Sequence, residues 1–92
     1  MKIFKILVSE TAQKALAELD VKTSTKIKSV LKELSLDPFR SRSGVDIKKL
    51  HGCKEVMYRL RVGDFRAIYF IEENNVKVTD IIPREKGYDW LN

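Results

Sequence analysis

Three arginines in one short stretch carry the first chemical signal. In Tyr58-Arg59-Leu60-Arg61-Val62-Gly63-Asp64-Phe65-Arg66-Ala67-Ile68-Tyr69, two apolar, β-favouring runs flank Gly63-Asp64, which reads as a tight hairpin turn. Side chains alternate between the faces of a strand, so Arg59 and Arg61 share one face and Tyr58, Leu60 and Val62 the other. A turn centred on Gly63-Asp64 sets Arg61 directly opposite Arg66, and opposite residues point to the same side of the sheet. Like charges so placed destabilise a sheet, and an anion is their natural partner. Arg59 and Arg61 stand about 6.6–7 Å apart along the strand, close to the spacing of successive phosphates in a nucleic acid. Guanidinium forks match phosphate geometry and stabilise charge that develops on a transferring phosphoryl group. A plainer reading leaves them as exposed strand positions paired with acids such as Glu72.

Other residues extend the basic character. Arg84 follows the last expected strand, and its face depends on the turn at residues 73–75. A two-residue Asn74-Asn75 turn sets it opposite Phe65, on the wrong face, and one more loop residue brings it beside Arg66. Tyr88 and Trp90 come next. Either can stack a base, worth ~1–3 kcal/mol, or simply dock the C-terminus on the core. Arg40 and Arg42 lie in a polar loop, Lys48 and Lys49 in a short strand, and His51 in the turn after it. His51 titrates near neutrality when unperturbed, yet a lone histidine is more often a surface residue than a catalyst. No Walker loop, paired-carboxylate signal or Ser/His/Asp arrangement is present. One Cys and one His are too few for a common zinc site, so neither metal nor cofactor is expected.

The elements that must position these groups follow from periodicity. Residues 2–8 read as a strand and Ser9 as the N-cap of a helix over 10–19, with Ala12, Ala15, Leu16 and Leu19 on one face. A second helix over 22–36 places Ile27, Val30, Leu31 and Leu34 together, with Lys22, Lys26 and Lys32 on a solvated outer face. Asp37-Pro38 stops it. Residues 39–46 read as a mobile basic loop, 47–50 as a short strand, 56–62 and 65–72 as the central hairpin, and 76–82 as a final strand ended by Pro83. The expected fold is α+β: an N-terminal strand and two helices packed on a mostly antiparallel sheet of four to five strands, in one domain over 1–92. Tyr58, Leu60, Val62, Phe65, Ala67, Tyr69 and Ile71 form the face to bury, leaving the arginine face to solvent or a groove.

Bulk properties set the bounds. Ninety-two residues with 43% hydrophobic and 34% charged content suit a folded chain that buries roughly 60–65% of its unfolded surface. The lysine-interrupted N-terminus does not read as a signal peptide and no apolar run reaches the length of a membrane span, so a cytoplasmic protein without a membrane partner is expected. The lone Cys53 agrees with a reducing compartment. A net charge of +5 favours an acidic partner, nucleic acid or protein.

Ile47-Lys48-Lys49-Leu50-His51-Gly52, the Tyr58–Tyr69 segment and Pro83-Arg84-Glu85-Lys86-Gly87-Tyr88 together resemble the RelE branch of the RelE/ParE toxin superfamily, and the likeness covers almost the whole chain. The hairpin pattern is shared with ParE-type gyrase poisons, while an arginine followed four residues later by tyrosine favours RelE. The resemblance implies the RelE-like microbial RNase fold and the toxin of a type II toxin–antitoxin pair. Such a toxin is a ribosome-dependent endoribonuclease that cuts mRNA in the A site by attack of a ribose 2′-hydroxyl on the adjacent phosphate. It implies a cognate RelB-type antitoxin and the ribosome, rRNA and mRNA together, as partners. By the same resemblance Arg66 contacts the scissile phosphate, Arg84 stabilises the phosphate or leaving group, and Tyr88 stacks on an mRNA base. Arg59 and Arg61 stand where some bacterial members carry lysines and where archaeal-type relatives carry arginine. Contact with RNA falls to Arg40, Arg42, Lys48, Lys49 and His51. Arginine stays protonated and is a poor general base, which leaves water, His51 or Glu85. A ParE-like gyrase inhibitor and a catalytically inactive basic binding module are the alternatives.

Overall fold

Ser9 organises the start of the chain. In a computed structural model, which describes residues 3–51 and 54–84, β1 (Lys5–Val8) runs through Ser9 into α1 (Glu10–Ala17), and α2 (Val21–Lys32) follows. The Ser9 hydroxyl oxygen accepts a hydrogen bond from the Ala12 amide at 3.0 Å, the expected cap, and donates to the Thr79 carbonyl at 2.7 Å. One side chain thus starts a helix and ties it to the far end of the sequence. Ser9→Ala is expected to lower stability by about 1–2 kcal/mol, read as a lower denaturant midpoint with an unchanged m-value.

Helical spacing then fills the core. Ala12 and Leu16 on α1 are buried, as are Ile27 and Leu31 on α2 and Leu34 on the 3-10 helix Glu33–Ser35 that extends it. They pack on β2 (Asp46–Leu50), β3 (Met57–Val62), β4 (Phe65–Glu72) and β5 (Asn75–Pro83). With β1 these form a five-stranded sheet of order β1-β5-β4-β3-β2, antiparallel except where β1 lies parallel to β5. Leu60, Val62, Ala67 and Tyr69 belong to the main core, and Tyr58, Phe65 and Ile71 pack against it half-buried, so the expected apolar face is the buried one.

The basic loop is tied to its surroundings by hydrogen bonds. Arg42 and Val45 exchange backbone hydrogen bonds at 2.9 and 2.8 Å. Ser41 Oγ accepts from the Ile47 amide and donates to the Ile47 carbonyl, both at 2.7 Å. Asp37 Oδ1 accepts the amides of Phe39 and Arg40 at 2.9 and 3.1 Å, and the Phe39 bond leads in holding this carboxyl below the usual range. Phe39 in turn sits edge-on to Phe4 and Tyr58, and Tyr58 stacks on Tyr69 with ring centroids 5.5 Å apart.

The last strand contains an irregularity with consequences for the site. The β4–β5 turn is Glu73-Asn74, one residue earlier than expected, with Glu72 opposite Asn75 and Glu73 at φ 59°. Tyr69 pairs with Val78, but Ile68 pairs with Asp80, so Thr79 is an extra residue. Such a bulge reverses the alternation beyond it. Val76, Val78 and then Ile81 join the main core, whereas Asp80, opposite Ile68, and Ile82, opposite Arg66, fall on the other face.

Candidate functional site

The tip of the central hairpin is Gly63-Asp64, with positive φ (57°) at Gly63 alone. That is the pattern of a type II′ turn, whose twist matches paired strands and whose first central position suits glycine. The register follows: Arg61 lies opposite Arg66 and Arg59 opposite Ile68. The face away from the helices carries two contrasting surfaces. Met57, Ile68 and Ile82 form a second apolar cluster flanked by Leu50 and Phe70, and the basic cluster lies beside it.

Lys48, Leu50, Arg59, Arg61 and Arg66 line a hollow of about 170 Å³. Lys48 reaches it because it sits opposite Arg59 across β2–β3. Asp46, opposite Arg61, places its carboxylate 3.6 Å from an Arg59 terminal nitrogen, and the Arg59 side chain is only 12% exposed. Asp46 is 57% exposed, so solvent screens that diagonal pair. Among the described residues, Lys48, Arg59, Arg61 and Arg66 face the single carboxylate of Asp46 here. Glu72 does not offset them, contrary to the plainer reading, because its carboxylate bonds Lys77 at 2.6 Å. An anion with its charge spread over several oxygens would meet donors from three adjacent strands here.

The bulge decides the placement of Arg84. Its amide donates to the Asp64 carbonyl at 2.7 Å, continuing the β4–β5 register to the hairpin tip. Two residues beyond Ile82, Arg84 falls on the Arg66 face. The extra residue lies within β5, not in the turn where the sequence reading sought it.

The remaining expected residues separate. Lys49 sits opposite Tyr58, on the helix side of the sheet. Arg40 is exposed and 3.4 Å from Asp37. The Arg42 guanidinium, exposed in the loop, donates to the carbonyls of Glu33, Asp37 and Arg40 at 2.7–2.9 Å. It also borders, with Lys26 and Arg61, a larger hollow of about 410 Å³ on the helix side of the hairpin tip. His51 is exposed just past β2. Tyr88, Trp90 and Glu85 lie outside the described residues. Among the described residues no cluster suited to a metal ion occurs, and no helix is long and apolar enough to cross a membrane.

Sequence reasoning missed three groups. Asp46 joins the cluster through a β2–β3 register that the strand sequences do not reveal. Lys26 passed as one of several solvated lysines. Asp80 was unremarked; it is half-buried, and desolvation raises its carboxyl above the usual range while a hydrogen bond with the Thr79 side chain opposes that.

The family model for the ParE toxin of type II toxin-antitoxin system, parDE, matches residues 6–88. No curated protein matches the sequence. Among solved structures, archaeal RelE in its RelE–RelB complex from Pyrococcus horikoshii OT3 is 25% identical, with 92% of this chain and 99% of that chain covered and a TM-score of 0.77. The RelB–RelE antitoxin–toxin complex from Methanococcus jannaschii gives 23% identity over 94% and 99% of the two chains, with a TM-score of 0.70. The isolated E. coli RelE toxin gives 22% identity over 95% and 90%, also with a TM-score of 0.70. Two helices on a five-stranded, mostly antiparallel sheet are thus the RelE toxin fold. The chain belongs to the ParE toxin family of type II toxin–antitoxin systems, within the RelE/ParE superfamily and with a fold of the RelE type.

Proposed function

We propose that this toxin is a ribosome-dependent endoribonuclease that cuts mRNA in the A site through attack of a ribose 2′-hydroxyl on the adjacent phosphate. The observation that carries the reading is the hollow lined by Lys48, Arg59, Arg61 and Arg66, with Arg84 brought to the same face by the bulge in β5. In phosphoryl transfer most of the catalytic effect is positioning and charge stabilisation, and such a cluster supplies both. Arg66 binds the scissile phosphate, Arg59 and Arg61 take non-bridging or neighbouring phosphate oxygens, and Arg84 stabilises the leaving group. Tyr88 stacks on a base. The relatives crystallised with RelB support a RelB-type antitoxin as partner, and its acidic groups would cover the basic face.

The test is primer extension on a reporter message after induced expression, with and without translation of that message. Cuts confined to the translated message at A-site codons are expected. A second reading, a ParE-like gyrase inhibitor, draws on the family match over residues 6–88. It calls for intact message and stalled replication with DNA damage in the same cells.

A further inference from the structure

A guanidinium is a donor without an acceptor, so Arg59, Arg61, Arg66 and Arg84 offer nothing to take the proton of the attacking hydroxyl. We infer that Asp80 is the general base of this site, placed there by the β-bulge at Thr79. The inference rests on the nuclease reading and names the group that reading lacks.

The geometry is set by register. Beyond the bulge, Asp80 and Ile82 on β5 and Arg84 just past it occupy alternate positions on one face, and Ile82 lies opposite Arg66. Asp80 and Arg84 therefore stand about 6.6–7 Å to either side of the Arg66 row. Asp80 is a diagonal neighbour of Arg66, about 7–8 Å away at the backbone. Displacement at phosphorus puts the attacking and leaving oxygens in line on opposite sides. By this register a phosphate held on Arg66 would have the Asp80 position on one side and the Arg84 position on the other, both on the β5 side of the hollow. Without the extra residue Asp80 would point into the main core and Arg84 would leave the basic face.

The surroundings suit a base. Asp80 lies opposite Ile68, which is fully buried, and two positions from Ile82, so its carboxylate borders the apolar cluster. Among the described residues it forms no ion pair. The charged groups around it are Arg66 on β4, Arg59 one strand further, and Lys77 and Arg84 on its own strand. Lys77 is engaged by Glu72, and on α1, which packs on β5, Glu10 and Lys14 pair with each other. A carboxylate neutralised by a close cation is a weak base, whereas one bordered by apolar side chains is stronger, in keeping with its upward shift by desolvation.

In the step, the 2′-hydroxyl proton passes to a carboxylate oxygen of Asp80 as the 2′-oxygen bonds to phosphorus. The bond from phosphorus to the 5′-oxygen breaks, its electron pair stays on that oxygen beside Arg84, and water supplies the proton it takes. The products are a 2′,3′-cyclic phosphate and a 5′-hydroxyl, and Asp80 returns its proton to solvent.

The test is single-turnover cleavage of mRNA on programmed ribosomes, followed from acid to neutral pH. The parent rate should rise with pH along one limb. Asp80→Asn should lower it by about 100-fold or more and abolish that limb without weakening ribosome binding, and Asp80→Glu should restore part of both. A carboxyl raised in the folded state stabilises the fold in acid, and that contribution is lost as pH rises through the folded value. The neutral Asn variant should therefore melt no lower than the parent near neutrality. An Asn variant as fast as the parent, or a slow one that keeps the limb, overturns the assignment while the nuclease reading stands. A parent that does not cut programmed ribosomes overturns both.

Discussion

Arg66→Ala is expected to slow cleavage of ribosome-bound message by about 10²–10³-fold and to relieve growth arrest on induction. Arg66 is half-buried in the middle of the sheet, directly opposite Arg61 and flanked by Ile82. Its guanidinium is one of the cations lining the hollow with Lys48, Arg59 and Arg61. Removing it takes away the donor best placed for charge that grows on the phosphoryl oxygens, and it also relieves the repulsion with Arg61. The fold should therefore survive, which a melting curve checks. Arg66→Lys keeps the charge but loses the planar fork, so it should fall between parent and alanine. If the alanine variant cuts at the parent rate, the phosphate is bound elsewhere.

The largest loss of stability is expected at Tyr69. Its side chain is fully buried, stacks on Tyr58, and donates its phenolic hydrogen to the Pro38 carbonyl at 2.7 Å. Tyr69→Ala should cost about 3–5 kcal/mol, against a total of only ~5–14 kcal/mol for a chain of this length. Denaturant titration should find that variant close to its unfolding threshold. Tyr69→Phe keeps the ring, leaves the Pro38 carbonyl unmet and should cost about 1–3 kcal/mol. Burial raises the phenol above its ordinary value. Its contribution is complete below the unfolded value near ~10 and declines as pH rises through the alkaline range, because the unfolded chain ionises first. The parent should lose stability there faster than Tyr69→Phe does. Equal slopes would mean that the phenol ionises alike in both states.

Local chemistry was legible in the sequence where one element settled it. Ser9 before a 3.6-residue apolar pattern marked α1, Asp37-Pro38 marked the end of the helical segment, and Gly63-Asp64 set Arg61 against Arg66. What depended on pairing between separate strands was not legible. Lys48 and Lys49 are neighbours with the same charge, and only the β2–β3 register sends one to the hollow and the other to the helix side. The face of Arg84 turned on one unpaired residue inside β5, and Thr79 carries no local mark of a bulge. Arg42 looked like a loop cation free for a ligand. Its guanidinium donates to the carbonyls of Glu33, Asp37 and Arg40, which no charge pattern reveals.

The parallel pairing of β1 with β5 joins Lys5 to Asn75 across almost the whole chain. During synthesis the first strand leaves the ribosome with no neighbour for its edge, while the helices and the central hairpin can assemble from contacts close in sequence. The strand that finally occupies the gap is the same one that brings Asp80, Ile82 and Arg84 beside Arg66. A nascent chain therefore holds Arg59, Arg61 and Arg66 before Asp80, Ile82 and Arg84 can join them. The two halves of the basic face therefore meet only through pairing between strands far apart in sequence.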